Sequence, residues 1–204
     1  MPRALRRGRR VTRGGVDTAP DLRFAGAVLA GGRARRFGSD KCDFSYRGRA
    51  LLDHALASLR DAEPRMIVGG PRRERAGTVW LPDETPGVGA LGGLQAALRN
   101  ADRPWLALLG CDMPFLPSEL WPVLLARSEG VRLVVPEGPT GREPLAAVYH
   151  RDLMPDVDAL IERGGGPLRA LLDVAPSRVV AWTELRGRLP DDAFLNANRP
   201  EDLP

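Results

Sequence analysis

Residues 24–41 read FAGAVLAGGRARRFGSDK: seven uncharged residues, then paired glycines, a cluster of arginines and a lysine. A short apolar run without polar alternation is the pattern of a strand buried on both faces. Gly31 and Gly32 close behind it predict that this strand empties into a glycine-rich loop. Downstream, Leu51, Leu52, Ala55, Leu56 and Leu59 recur at helical spacing and predict a helix over 50–60. Apolar runs predict strands at 65–68, 78–81, 105–109, 131–135, 145–149 and 179–182. Helical patterns lie among them at 91–98, 117–126, 153–162 and 167–174. This alternation specifies an α/β fold, a three-layer, Rossmann-like arrangement with a mostly parallel central sheet and helices on both faces. Such sheets bind ligands at the carboxyl ends of their strands. Three loops leave those ends, 30–41, 82–93 and 110–114, and are expected to converge on one crevice.

Charge is unevenly distributed. Residues 1–23 hold seven arginines and two acids, whereas the remainder is close to neutral, so the formal net charge of +4 belongs to the first segment. Residues 1–22 have no apolar h-region and do not read as a secretory signal; a basic, disordered leader is expected, followed by a single domain over 23–204. An arginine-rich arm suits nucleic acid, but this one has no aromatic residue to stack a base, and nucleic acid is not expected as a partner. No apolar run approaches the roughly 18 residues of a membrane helix, so no membrane association is expected. Cys42 and Cys111 are too few for a disulfide framework or a four-ligand zinc site, and point to free thiols in a reducing cytoplasm.

Lys41 is the one lysine among 30 lysine and arginine residues. A lysine kept where arginine is otherwise used fits a task suited to a compact charge on a flexible stem, such as meeting a phosphate. Gly31 and Gly32 let backbone N–H groups approach the same phosphate, with Arg36 ranked above Arg33 and Arg35 as a further neutralising charge. The loop is not a Walker A motif, because Lys41 follows Asp40 and precedes Cys42. Gly87, Gly89 and Gly92 spell G-x-G-x-x-G, yet five residues separate them from the preceding strand, which argues against nicotinamide binding. Asp83 lies beside them as a hydrogen-bond acceptor. Asp112 ends the most apolar strand, next to the phosphate loop, where a single carboxylate suffices for Mg²⁺ shared with phosphate oxygens and water. His54, within a helix, and His150, at a strand end, read as structural or solvated.

In order and spacing, LAGGRARRFGSDK (29–41), PDETPGVGALGGLQAAL (82–98), CDMPFLP (111–117), EPLAAVY (143–149) and FLNANRPEDL (194–203) resemble the molybdenum cofactor guanylyltransferase family of the nucleotidyltransferase superfamily. LAGG, rather than LAAG, is similar to the guanylyl rather than the cytidylyl branch. The resemblance implies transfer of GMP from GTP to the terminal phosphate of molybdopterin, with release of pyrophosphate and formation of the guanine dinucleotide cofactor. It implies that Leu29, Ala30, Gly31 and Gly32 contact GTP, Lys41 its phosphates and Asp83 the nucleoside. Asp112 would hold Mg²⁺, Arg36 would stand near the reacting phosphates, and Asn196 and Asn198 would lie on the pterin side. Transient partners would be cofactor-delivery or molybdoenzyme-maturation proteins. Phe37, Cys42, Gly69 and the leader depart from the family pattern. Alternatives are a cytidylyl or sugar-phosphate nucleotidyltransferase of the same superfamily, or a non-catalytic nucleotide or nucleic-acid binding module.

Overall fold

The computed structural model describes residues 23–31, 40–85 and 87–204; the leader lies outside them. The chain runs β1 (Ala25–Leu29), a 3₁₀ turn (Lys41–Asp43), β2 (Ser45–Tyr46), β3 (Arg49–Ala50), α1 (Leu51–Ser58), β4 (Arg65–Val68) and β5 (Thr78–Leu81). It continues with α2 (Ala90–Asn100), β6 (Trp105–Gly110), α3 (Leu120–Leu125), β7 (Leu133–Gly138), β8 (Gly141–Arg142) and β9 (Ala146–His150). The last elements are α4 (Met154–Glu162), α5 (Leu171–Val174), β10 (Ser177–Val180) and α6 (Trp182–Leu185).

The sheet order is β10-β7-β9-β6-β1-β4-β5, with β8 paired to β7. β1 is parallel to β4 on one side and to β6 on the other, with Leu29 in register with both Val68 and Gly110. The chain therefore leaves β1 toward β4 and β5, then crosses back to β6. That reversal opens a crevice at the carboxyl ends of β1 and β6, the place where open α/β sheets bind ligands. β9 runs antiparallel to both β6 and β7, so its first residues lie at this same end.

Alternate residues of the central strands enter opposite cores, which is why their buried stretches are apolar on both faces. Val28, Ile67, Leu109 and Val134 face α1 and α3, including Leu52, Leu56 and Trp121. Ala27, Met66, Leu108 and Val135 face α2 and α4, including Leu94 and Val157. Trp121 is fully buried, and its indole N–H is satisfied by the Ser58 carbonyl at 2.8 Å, tying α3 to α1. Gly93 lets α2 lie close on β1: a Cβ there would come within 2.7 Å of Leu29 Cδ2.

Several expected boundaries move. The helix expected from 117 starts at Leu120, because the carbonyls of Pro117 and Ser118 instead close tight turns on Leu120 and Trp121, each at 3.3 Å. The strand expected at 131–135 occupies Leu133–Gly138, since Val131 closes a turn onto Ser128. The helix at 167–174 divides into a 3₁₀ turn (Leu168–Ala170) and α5. The last strand ends at Val180, and Trp182 opens α6 instead, packing its ring edge-on to Phe194. The β2–β3 ribbon turns at Arg47 and Gly48, both at positive φ.

Candidate active site

Lys41 stands at the start of the 3₁₀ turn behind the glycine-rich loop. Asp40 caps that turn, accepting from the Cys42 N–H at 3.0 Å. The turn is clamped from behind by Arg73, whose side chain is only 4% exposed. Its guanidinium lies 2.6 Å from Asp40 and donates two hydrogen bonds to Asp43, from Nε at 3.1 Å and Nη2 at 3.0 Å, and another to the Pro71 carbonyl at 3.2 Å. Burial opposes that charge, but the hydrogen bonds with Asp43 and Asp40 outweigh it and hold the guanidinium pKa above its ordinary value. One buried cation thus fixes both acids that flank Lys41.

Held this way, the Lys41 ammonium lies 3.2 Å from Asp112 Oδ2 and 3.2 Å from Asn198 Oδ1, joining positions 71 and 157 residues away. Asp112 follows β6, and its carboxylate packs against Gly110, where a Cβ would force that side chain to move. The Asp112 carbonyl accepts from the Ala197 N–H at 2.8 Å, which pins the 194–203 segment across the crevice. Asn196 is half-buried in the same segment, whereas the contact with Lys41 comes from Asn198. That segment is also a turn, with the Asp202 carboxylate accepting from the Asn198 and Arg199 N–H groups.

The other wall is backbone. Ala30 is tied to β4 through its N–H and the Val68 carbonyl at 2.8 Å, and Gly31 lies against Gly69. A Cβ on Gly69, where φ is +78°, would stand 3.2 Å from Gly31 Cα and 4.0 Å from Asp83 Cβ. Asp83 is exposed and accepts from the Thr85 N–H at 3.2 Å. The loop that carries it is anchored by Thr85 to the buried Gln95, which donates to Asp158. The three loops therefore meet: Leu29, Ala30, Gly31, Gly69 and Asp83 on one side, Lys41, Asp112 and Asn198 on the other. Gly32 and Arg36 lie outside the described residues.

Two groups in this region had not been singled out by sequence. Arg73 is one; no local pattern distinguishes it from Arg72 or Arg75, and only the fold brings it under Lys41. Glu143 is the other. Its burial raises its pKa, a hydrogen bond with Thr140 opposes the rise, and the negative field of Asp112 adds to it. Beside this corner a cavity of about 760 Å³ is bounded by Ala90, Arg142, Leu145, Leu168 and Arg169. The Leu145 carbonyl accepts from the Gly110 N–H at 2.9 Å, so the cavity adjoins the strand that delivers Asp112. Cys42 and Cys111 are buried in contact with each other; the Cys42 hydrogen bond and burial push the Cys111 thiol up. His54 contacts the Tyr46 carbonyl and His150 accepts from the Asp152 N–H, local roles in both cases. Among the described residues no group of three or more His, Cys, Asp or Glu side chains is placed to hold a metal ion.

A switch-point crevice with a bare glycine wall, a clamped lysine and a strand-end aspartate defines an α/β protein that handles nucleotides, and the fold is that of the nucleotidyltransferases. Residues 26–179 match the MobA-like NTP transferase domain, and the chain belongs to that family. Over 187 residues it is 38% identical to the probable molybdenum cofactor guanylyltransferase of Deinococcus radiodurans, covering 89% of this chain and 93% of the relative. Molybdopterin-guanine dinucleotide biosynthesis protein A from Archaeoglobus fulgidus superposes with a TM-score of 0.73 at 26% identity, covering 88% of this chain and 95% of that one. A Mycobacterium tuberculosis protein crystallised in complex with manganese shares the fold at 16% identity, with a TM-score of 0.58 over 82% of this chain and 97% of that one. The α/β assignment and the family resemblance drawn from the motifs are borne out. The G-x-G-x-x-G spacing does not form a dinucleotide fingerprint: Gly89 caps α2, and Gly92 lies within its first turn, close to the Thr85 carbonyl.

Proposed function

We propose that this chain transfers GMP from GTP to the terminal phosphate of molybdopterin, releasing pyrophosphate and forming the guanine dinucleotide cofactor. The observation that carries this reading is the meeting of Lys41, Asp112 and Asn198 opposite the Ala30–Gly31 backbone. A phosphate oxygen of the acceptor attacks the α-phosphorus of GTP in line with the departing pyrophosphate. A phosphate nucleophile is already ionised at neutral pH, so no general base is needed, consistent with two histidines engaged elsewhere. Lys41 neutralises charge on the phosphates, and the loop N–H groups are donors to the same oxygens. Asp112 would hold Mg²⁺, which would screen the triphosphate charge when bound; manganese in a similarly folded protein supports a divalent ion here.

Lys41 and Asp112 pair at 3.2 Å. Nucleotide binding exchanges those partners, turning the ammonium to phosphate and freeing the carboxylate for a cation. Asn198 faces the acceptor side, with Arg142 and Arg169 in the adjoining cavity as cations for an anionic acceptor. Asp83 and the Gly31–Gly69 contact lie where a nucleoside would rest. The free thiols suit a cytoplasmic setting, and no helix among the described residues is long and apolar enough to cross a membrane.

The test is incubation of the purified protein with freshly prepared molybdopterin and GTP labelled at the α-phosphate. Label is expected in the guanine dinucleotide, with stoichiometric pyrophosphate. Preference for CTP as donor, or no transfer from either nucleotide, would overturn the reading.

A further inference from the structure

Each member of the Lys41–Asp112 pair has a cysteine as its immediate neighbour: Cys42 follows the lysine and Cys111 precedes the aspartate. The two sulfurs converge to 2.7 Å, and Cys42 Sγ lies 3.6 Å from the Ala30 carbonyl oxygen. Both side chains are buried in one apolar cluster, 2% and 8% exposed, and neither has a task in the transfer reaction. A disulfide requires the sulfurs to close to about 2.05 Å, a movement well under 1 Å from where they stand.

We propose that Cys42 and Cys111 are a covalent modification site, forming a reversible intramolecular disulfide when the protein meets a small peroxide. One thiol attacks the peroxide, breaking its O–O bond to give a sulfenic acid and one water. The second thiol displaces the hydroxyl from that sulfenic sulfur, forming the S–S bond and a second water. Two thiols thus lose two protons and two electrons, and hydrogen peroxide takes both to become two waters. A dithiol reductant reverses the change.

The bond would tie the turn that carries Lys41 to the turn that carries Asp112, across 69 residues of chain. The consequence for activity rests on the proposed function, in which those two residues must separate to meet phosphate and cation. A link one residue from each opposes that separation, so the oxidised protein binds GTP with Mg²⁺ more weakly.

The test begins with fully reduced full-length protein treated with hydrogen peroxide and analysed by intact mass spectrometry and non-reducing peptide mapping. The expected result is loss of two hydrogens, a peptide linking Cys42 to Cys111, and restoration by dithiothreitol. Cys42→Ser and Cys111→Ser should each fail to form it. Thiols that stay reduced, added oxygen without a cross-link, or a bond between two molecules would overturn the proposal. Calorimetric titration with GTP and Mg²⁺ then compares the two forms: about tenfold weaker binding after oxidation is expected, and equal affinity would overturn the effect on the site. If the bond forms but neither form binds GTP, the guanylyl reading fails while the modification site stands.

Discussion

Replacing Arg73 with alanine tests whether the clamp behind Lys41 is as important as its geometry indicates. The guanidinium is 4% exposed, while its partners Asp40 and Asp43 are 37% and 51% exposed. Breaking a fully buried ion pair costs about 3–5 kcal/mol, whereas an exposed pair is worth about 0.2–1 kcal/mol. Here the cation is removed entirely, and the two acids left behind can regain water, so the cost falls between those limits at roughly 2–3 kcal/mol. For a chain of this size that corresponds to a fall in Tm of roughly 4–12 °C. Lys41 would also lose its fixed position, so kcat for GMP transfer should drop in the Arg73→Ala protein even well below its Tm. Arg73→Lys, which keeps the charge but not the planar fork, should recover part of both losses. Thermal unfolding and transfer kinetics measured on the same preparations decide it. A Tm within 1 °C of the parent together with unchanged kcat would refute the clamp.

Other outcomes follow from the same geometry. Asp112→Asn should abolish the strengthening of GTP binding by Mg²⁺ while leaving a weaker metal-independent affinity, as read by calorimetric titration. Gly69→Ala should lose about 1–2 kcal/mol of stability in urea melts because its φ of +78° is left-handed; Gly69→Asn should lose less and show a lower KM for GTP than the alanine variant. Glu143→Gln bears on pH. Because the folded-state pKa of Glu143 is raised, its contribution to stability is greatest below the ordinary carboxylate value of about 4.3 and is lost as pH rises through the raised value. The glutamine variant should therefore be more stable than the parent at pH 8, with the difference vanishing near pH 4; an unchanged difference across that range would contradict the assignment.

Much of this architecture is legible in the chain itself because β1, β6 and the 66–68 stretch of β4 are buried on both faces and are apolar. Lys41 and Asp112 are legible for a different reason: one is a lysine in an arginine-rich protein, and the other a carboxylate at the end of an apolar strand. Strand direction is harder to read. Nothing within AAVYH marks β9 as antiparallel; the direction follows from the tight turn at 139–140 and the short link into Ala146. The β2–β3 ribbon escaped because its turn uses Arg-Gly in place of the usual Asn-Gly, with the Arg47 guanidinium 5.0 Å from the centre of the Tyr46 ring. Arg73 and the Cys42–Cys111 contact depend on pairings 30 and 69 residues apart, which only the completed fold creates.

The most direct measurement is single-turnover transfer of labelled GMP from GTP to molybdopterin by the parent protein, Lys41→Ala and Asp112→Ala, each verified as folded. Loss of one preorganised charge-stabilising group typically costs about 2.7–4 kcal/mol, or 10²–10³ in rate, and each variant should lose at least that much. Near-parental turnover by either variant would contradict the assignment of this crevice as the seat of the reaction.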